Sequence, residues 1–186
     1  HGLDTKWLYL SSLIGKSLKT EIEIAKLSRV RGIKVACNVS SYLARRGVGA
    51  VREILKNTDV LILNDEEARD LIPRGNFFHG LLALGPKIVC VTYGEKGSEC
   101  FDGARAYRAI PRRVKVVEMT GAGDAFASGF VAGIILNEDI ATSMKFGSVN
   151  AASVIQGKGA KNGLLSLREI RNMAGKVKVF VRNTQV

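Results

Sequence analysis

Short apolar runs rich in β-branched residues alternate along this chain with segments of helical period, and that alternation constrains the fold most tightly. Residues 7–12 read as a strand, 18–31 as a helix closed by Gly32, 33–37 as a strand and 48–56 as a helix. Residues 59–63 and 87–92 read as buried strands, with an ordinary helix over 76–84 between them. Asp102-Gly103, between the β-type runs 98–102 and 104–109, signals a hairpin. Residues 114–117 read as a strand that runs into a long helix from Ala122, and 140–155 as a further helix. Such alternation implies an α/β fold, a mostly parallel sheet with helices on both faces. No linker, internal repeat or low-complexity tract interrupts it, so residues 1–186 read as a single α/β domain. Residues 177–181 read equally as a last strand or a tail.

The stretch Glu118-Met119-Thr120-Gly121-Ala122-Gly123-Asp124-Ala125-Phe126 combines a bare-backbone turn, one carboxylate and a helix start. Gly121 and Gly123 let a ligand approach the backbone closely, and the first N–H groups of a helix have no internal partner. Those donors and the positive end of the helix dipole suit a phosphate. Asp124, the one acid in the turn proper, reads as a general base. A weak base suffices, because phosphoryl transfer through a loose transition state depends chiefly on positioning. The alternative is that Asp124 caps the helix and the glycines allow tight packing.

Two more glycine or polar turns follow predicted strands. Asn64-Asp65-Glu66-Glu67 opens a helix after strand 59–63, with Asn64 and Glu67 on one face; a capping box explains the same spacing. Thr92-Tyr93-Gly94-Glu95-Lys96-Gly97 follows strand 87–92. The three sites at 64–67, 92–97 and 120–124 thus fall at the C-terminal ends of predicted strands, where open α/β sheets bind ligands.

The ordered set Asn64-x-x-Glu67, Thr92-x-Gly94-x-x-Gly97 and Thr120-Gly121-Ala122-Gly123-Asp124-Ala125-Phe126 resembles the ribokinase-like (PfkB) family of carbohydrate and nucleoside kinases. Asn150-Ala151-Ala152 and Gly157-Lys158-Gly159-Ala160 resemble that family's helix and loop beside the adenine. The similarity runs from the strand at Trp7 to the helix near Arg168. It implies a three-layer ribokinase-like core and an ATP-dependent, cytoplasmic transferase that moves a γ-phosphoryl to a hydroxyl of a sugar or nucleoside with Mg²⁺. By the same resemblance Asp124 deprotonates the acceptor, and the N–H groups of Gly121, Ala122 and Gly123 stabilise the transferring phosphoryl. Asn64 and Glu67 match residues associated with Mg²⁺ through water. Thr92, Gly94, Gly97 and Thr120 match the nucleotide's phosphate and sugar side, and Asn150 and Gly159 its adenine side. Asn38 resembles an asparagine facing the transfer region, with a turn or N-cap before Ser40 and Ser41 as the alternative. Glu118 occupies a position that is usually Asp in the family's monovalent-cation site, making K⁺ the candidate ion there; its extra methylene is a departure.

A second departure is larger. Family members ordinarily begin with further core strands, a glycine pair and a β-sheet lid over the sugar, whereas this chain opens near Trp7, in the middle of the core. The expectation is a nucleotide-binding part of a kinase, incomplete at its N-terminus. Its exposed sheet edge would invite a homodimer. The rival reading is a non-catalytic nucleotide-binding or interaction module derived from such a kinase.

Composition agrees with a globular enzyme, 46% of the residues being hydrophobic. No apolar run reaches membrane-spanning length and no signal peptide is readable. Cys37, Cys90 and Cys100 lack metal-ligand spacing and read as reduced core thiols. The net charge of +11 raises nucleic-acid binding, but the cations are spread out and only 6% of residues are aromatic. A solvated surface that attracts ATP accounts for the charge. Gly15-Lys16-Ser17 imitates the end of a P-loop, yet Leu10 stands where its first glycine belongs. Phe126 likewise stands where a dinucleotide fingerprint needs its third glycine. His79, the one internal histidine, leaves a Ser-His-Asp hydrolase little to build from.

Overall fold

The structure, a computed structural model, describes residues 4–184 and divides into two compact units: His1–Val91 with Phe101–Gly103, and Thr92–Cys100 with Ala104–Val186. The first unit runs β1 (Trp7–Ser11), α1 (Ser17–Val30), β2 (Lys34–Asn38), α2 (Ser41–Ala44), α3 (Val48–Leu55), β3 (Val60–Asn64), α4 (Asp65–Leu71), α5 (Phe77–Leu82) and β4 (Ile88–Thr92). Strand order follows chain order. β1 pairs parallel with β2, Trp7 opposite Lys34, and β2 parallel with β3, Ala36 opposite Val60. Val35, Ala36 and Cys37 in β2 and Val60, Leu61, Ile62 and Leu63 in β3 are all buried, as continuous apolar strands covered on both faces should be. Asp59 anchors the entry to this sheet: Oδ2 accepts from the Val35 N–H at 3.0 Å and Oδ1 from the Lys87 ammonium at 2.7 Å.

The elements expected in this half form within a residue or two of their expected bounds. α2 was not anticipated. It is a four-residue turn, too short to show a helical period, held because Leu43 and Ala44 reach the core. His79 lies in α5, its ring 5.0 Å from that of Phe101, which is a packing role.

The second unit contains the turn at Gly94–Lys96, β5 (Ser98–Phe101), β6 (Arg105–Ile110), α6 (Ala122–Ile135), α7 (Ile140–Val154), α8 (Leu167–Ala174) and β7 (Lys178–Asn183). The undecided C-terminal stretch is a strand: β7 pairs antiparallel with β6, Tyr107 opposite Val181. The small residues along α6 allow close packing on α7. A Cβ on Gly129 would stand 2.8 Å from the Phe146 carbonyl oxygen, and one on Gly133 2.6 Å from Ser143 Oγ. Phe126 and Phe130 stack at 6.0 Å in the core of this unit.

One expectation fails. Residues 114–117 form no strand. The Val117 N–H bonds to the Ile155 carbonyl at the end of α7 instead of to a neighbouring strand, and Val116 and Val117 are exposed. β-Branched composition reflects a preference for a pleated, half-buried surface, and this stretch has none to lie on. The 120–124 turn therefore follows an irregular segment and not a strand end.

Glu21 of α1 is buried; Oε2 accepts from the Leu13 N–H at 2.8 Å while Oε1 has no partner. Burial raises its carboxyl above the ordinary range, the Leu13 bond opposing the shift. Burial likewise pushes the Cys37 thiol up, with the Glu21 charge adding to it, so Cys37 is no nucleophile. A raised folded pKa gives stability that is complete below the unfolded value and is lost as pH rises through the folded one. Glu21→Gln should therefore melt higher than wild type at neutral pH, by a few degrees if about 1 kcal/mol is recovered. The two melting curves should converge as pH falls into the ordinary carboxylate range, measured by circular dichroism.

Candidate active site

Gly121 occupies the left-handed region, φ 82°, as the N-cap of α6. A Cβ there would lie 2.8 Å from the Cα and Cβ of Ala160, so both conformation and contact require glycine. The Ala122 N–H turns back to the Met119 carbonyl at 3.2 Å. The N–H groups of Gly121, Gly123 and Asp124 have no acceptor among the described residues. Space beside Gly123 is open, nothing lying within 4 Å of a Cβ built there. Asp124, in the first turn, makes no capping bond and has no hydrogen-bond or ion-pair partner among the described residues. The turn thus presents unpartnered donors and one exposed, unpaired carboxylate side by side, and the cap reading of Asp124 is not what the fold uses.

The loop after α7 shapes this turn. Glu118 Oε2 accepts from the Gly159 N–H at 2.9 Å, and that bond with the Thr120 hydroxyl holds the Glu118 carboxyl below the usual range. Asn150 is buried at 3% exposure, and its amide is fully engaged. Nδ2 donates to the Ala125 carbonyl at 2.8 Å and to Ser128 Oγ at 3.3 Å, while Oδ1 accepts from the Leu165 N–H at 3.0 Å. It braces the helix start against the loop exit and offers no open face.

Thr92 ends β4, and Gly94 and Gly97 close the turn after it. The Tyr93 N–H donates to the Gly97 carbonyl at 2.8 Å; a side chain on Gly97, φ 96°, would collide with the Ala109 carbonyl. A cavity of about 360 Å³, within the range of ligand pockets, opens between α7 and the segment leading to the turn. Val114, Val149, Ala152, Met173 and Val177 form its apolar walls, Ser148 and Gln156 are neutral polar groups, and Arg112, Arg113, Lys115 and Lys176 make its lining strongly basic. Sequence reading named Ala152, within the run Asn150-Ala151-Ala152, but not Ser148, Val149, Gln156 or Met173; Ser148, Val149 and Ala152 repeat at one-turn spacing on α7 and carry no distinctive chemistry.

In the first unit, Asn64 and Glu67 form the capping box. The Glu67 N–H donates to Asn64 Oδ1 at 2.8 Å and the Asn64 N–H to Glu67 Oε2 at 2.9 Å. Ser41 Oγ donates to Glu67 Oε1 at 2.8 Å. Two of the carboxylate's roughly four lone-pair sites remain for water. Asn38 is not a cap, since Ser40 takes that position for α2. Its carbonyl accepts from the Ser12 N–H and hydroxyl, and its side-chain amide has no partner among the described residues.

Unpartnered N–H groups at a glycine turn opening a helix, on an α/β frame, are an arrangement with which α/β proteins hold phosphate. The pfkB family carbohydrate kinase pattern matches residues 4–167, and the chain belongs to that family. It is 36% identical over 123 residues to an uncharacterized sugar kinase of Archaeoglobus fulgidus, covering 65% of this chain and 49% of that protein. To a cytidine kinase of Thermococcus kodakarensis it is 29% identical over 167 residues, covering 83% of this chain and 56% of that one. A nucleoside kinase of Methanocaldococcus jannaschii, an archaeal member of the ribokinase family, shares the fold with a TM-score of 0.82 at 20% identity, over 95% of this chain and 58% of its own. Arabidopsis thaliana ribokinase, solved with ribose and ATP, gives 0.81 at 23% identity, over 91% and 55%. The fold is ribokinase-like, and the chain spans about half the length of the curated relatives it matches.

Asn150→Ala should destabilise the fold by about 2 kcal/mol, because it strands the Ala125 carbonyl and the Leu165 N–H. Thermal unfolding measures the loss, and limited proteolysis should show earlier cutting within residues 157–165.

Proposed function

We propose that this chain carries the nucleotide-binding and catalytic part of a cytoplasmic, ATP-dependent kinase that phosphorylates a hydroxyl of a sugar or nucleoside. The observation that carries the reading is the unpaired Asp124 carboxylate beside the unpartnered N–H groups of Gly121, Gly123 and Asp124. That donor set and the open space at Gly123 fit a phosphate. Two remaining lone-pair sites on Glu67 fit a divalent ion held through water, and Asn64 orients that carboxylate. When bound, Mg²⁺ would offset the negative charge of the ATP that supplies the phosphoryl group.

The chain's own residues then divide the work. The Asp124 carboxylate accepts the proton of the acceptor hydroxyl as its oxygen takes the phosphoryl group, leaving ADP. The turn's N–H groups face the phosphoryl oxygens and stabilise their charge. Thr92 and the turn closed by Gly94 and Gly97 hold the nucleotide's ribose and phosphate side. The walls at Val149 and Ala152 receive its base, with Asn150 and Gly159 fixing the helix and loop that frame it. Asn38, whose side-chain amide has no partner among the described residues, is assigned to the acceptor by the family resemblance. Buried thiols at Cys37, Cys90 and Cys100 support a reducing cytoplasm.

Calorimetric titration with a non-hydrolysable ATP analogue and Mg²⁺ tests the binding site. Gly123→Val should abolish binding while leaving the fold intact, since a Cβ at this position has no protein atom within 4 Å. Asp124→Asn should keep analogue binding and lower phosphoryl transfer by at least about a hundredfold, the low end for general-base catalysis. ADP release with a panel of sugars and nucleosides measures it. Retained turnover removes Asp124 from the base role, and a folded wild-type chain that binds no nucleotide removes the reading.

A further inference from the structure

Asn162-Gly163, the one Asn-Gly pair in the chain, lies in an exposed turn between α7 and α8. The turn belongs to the loop that reaches the phosphate turn, where the Gly159 N–H bonds to Glu118 and Ala160 rests against Gly121. Both members of the pair have structural tasks. Asn162 Nδ2 donates to the Lys158 carbonyl at 2.7 Å and closes the loop on itself. Gly163 has φ 90°, and a Cβ on it would stand 2.9 Å from the Ser153 carbonyl oxygen, so the position demands glycine. Glycine carries no side chain to shield its own nitrogen, and asparagine amides are among the thermolabile groups of a protein. The Gly163 N–H has no acceptor among the described residues, so no hydrogen bond holds that nitrogen away from the Asn162 side chain. The fold thus requires the labile pair at a place it also leaves open to attack.

We propose that Asn162 is a self-modifying site whose conversion to aspartate and isoaspartate loosens the loop from the phosphate turn and so limits the working life of the nucleotide site. The Gly163 nitrogen gives its proton to solvent base and attacks Asn162 Cγ. A new N–Cγ bond closes a succinimide ring, the Cγ–Nδ2 bond breaks, and the nitrogen leaves as ammonia with a proton from water. A water molecule then opens the ring at either carbonyl. One opening gives aspartate; the other gives isoaspartate, in which the main chain runs through Cβ and Cγ and is one methylene longer. In both products the donor to the Lys158 carbonyl is gone, and a carboxylate replaces it. The loss of affinity rests on the proposed nucleotide site, whereas the conversion and the loosening do not.

Ageing the folded chain in mildly alkaline buffer tests the site. Trypsin releases residues 162–168 as one peptide, cutting after Lys161 and Arg168. Mass spectrometry should find the amide-to-acid shift there before it appears at any other asparagine, faster as pH rises, and isoaspartate methyltransferase should label the peptide. Amide hydrogen exchange at Gly159 should quicken in step with conversion. Affinity for the ATP analogue with Mg²⁺ should fall about fivefold, the scale of one hydrogen bond. Asn162→Gln, which closes the corresponding larger ring far more slowly, should age with neither change, and fresh Asn162→Asp should already show the quicker Gly159 exchange. An unconverted 162–168 peptide in the folded chain, under conditions that convert the urea-unfolded chain, overturns the proposal. Conversion that leaves Gly159 exchange unchanged overturns it too. A fresh folded chain that binds no nucleotide removes the kinase reading, and the mass and exchange measurements still decide the modification.

Discussion

The backbone-to-backbone approach of α6 and α7 is the constraint on which the chemistry of the second unit depends. Gly129 and Gly133 on α6 and Gly147 on α7 each face atoms of the other helix that a Cβ would meet at 2.6–2.8 Å. Real Cβ atoms do not tolerate such distances, so one larger residue at these places would push the helices apart and forfeit dispersion contacts along their length. Close approach brings Asn150 within reach of the Ala125 carbonyl. The helix start, and with it the row of unpartnered N–H groups, is thus set by packing one and two turns further along.

Much of this was legible in the chain. β3 shows as an uninterrupted apolar run, β2 as a β-type stretch around residues 35–37, α6 through its glycine spacing, and the 64–67 capping box through two residues three apart. What could not be read has a common cause. Residues 114–117 have strand composition, but the Val117 N–H finds its acceptor at Ile155, far along the sequence. Asn150 looks like a ligand-facing amide, yet all its hydrogen bonds are internal and reach partners up to 25 residues away. Local pattern reports propensity, and these positions are decided by long-range partners.

Asn64 and Glu67 show that a structural and a chemical reading of the same residues are compatible. The capping box fixes the carboxylate in one orientation, with Ser41 supporting the other oxygen. A carboxylate held on both sides cannot swing, and a rigid acceptor is what a water-mediated ion requires. Asn38 is the opposite case, a residue anchored through its backbone carbonyl whose side-chain amide has no partner among the described residues.

The contact between Glu118 and Gly159 joins residues 41 apart, and Gly121 leans on Ala160 across a similar span. Contacts that close a loop of that length must overcome a larger chain entropy than those within a single helix. During synthesis α6 and its glycine turn leave the ribosome well before the segment that shapes them. The glycine turn is therefore completed only once the segment around residue 160 has been made, and a chain interrupted between residues 127 and 159 would carry the motif's full sequence with an unfinished turn.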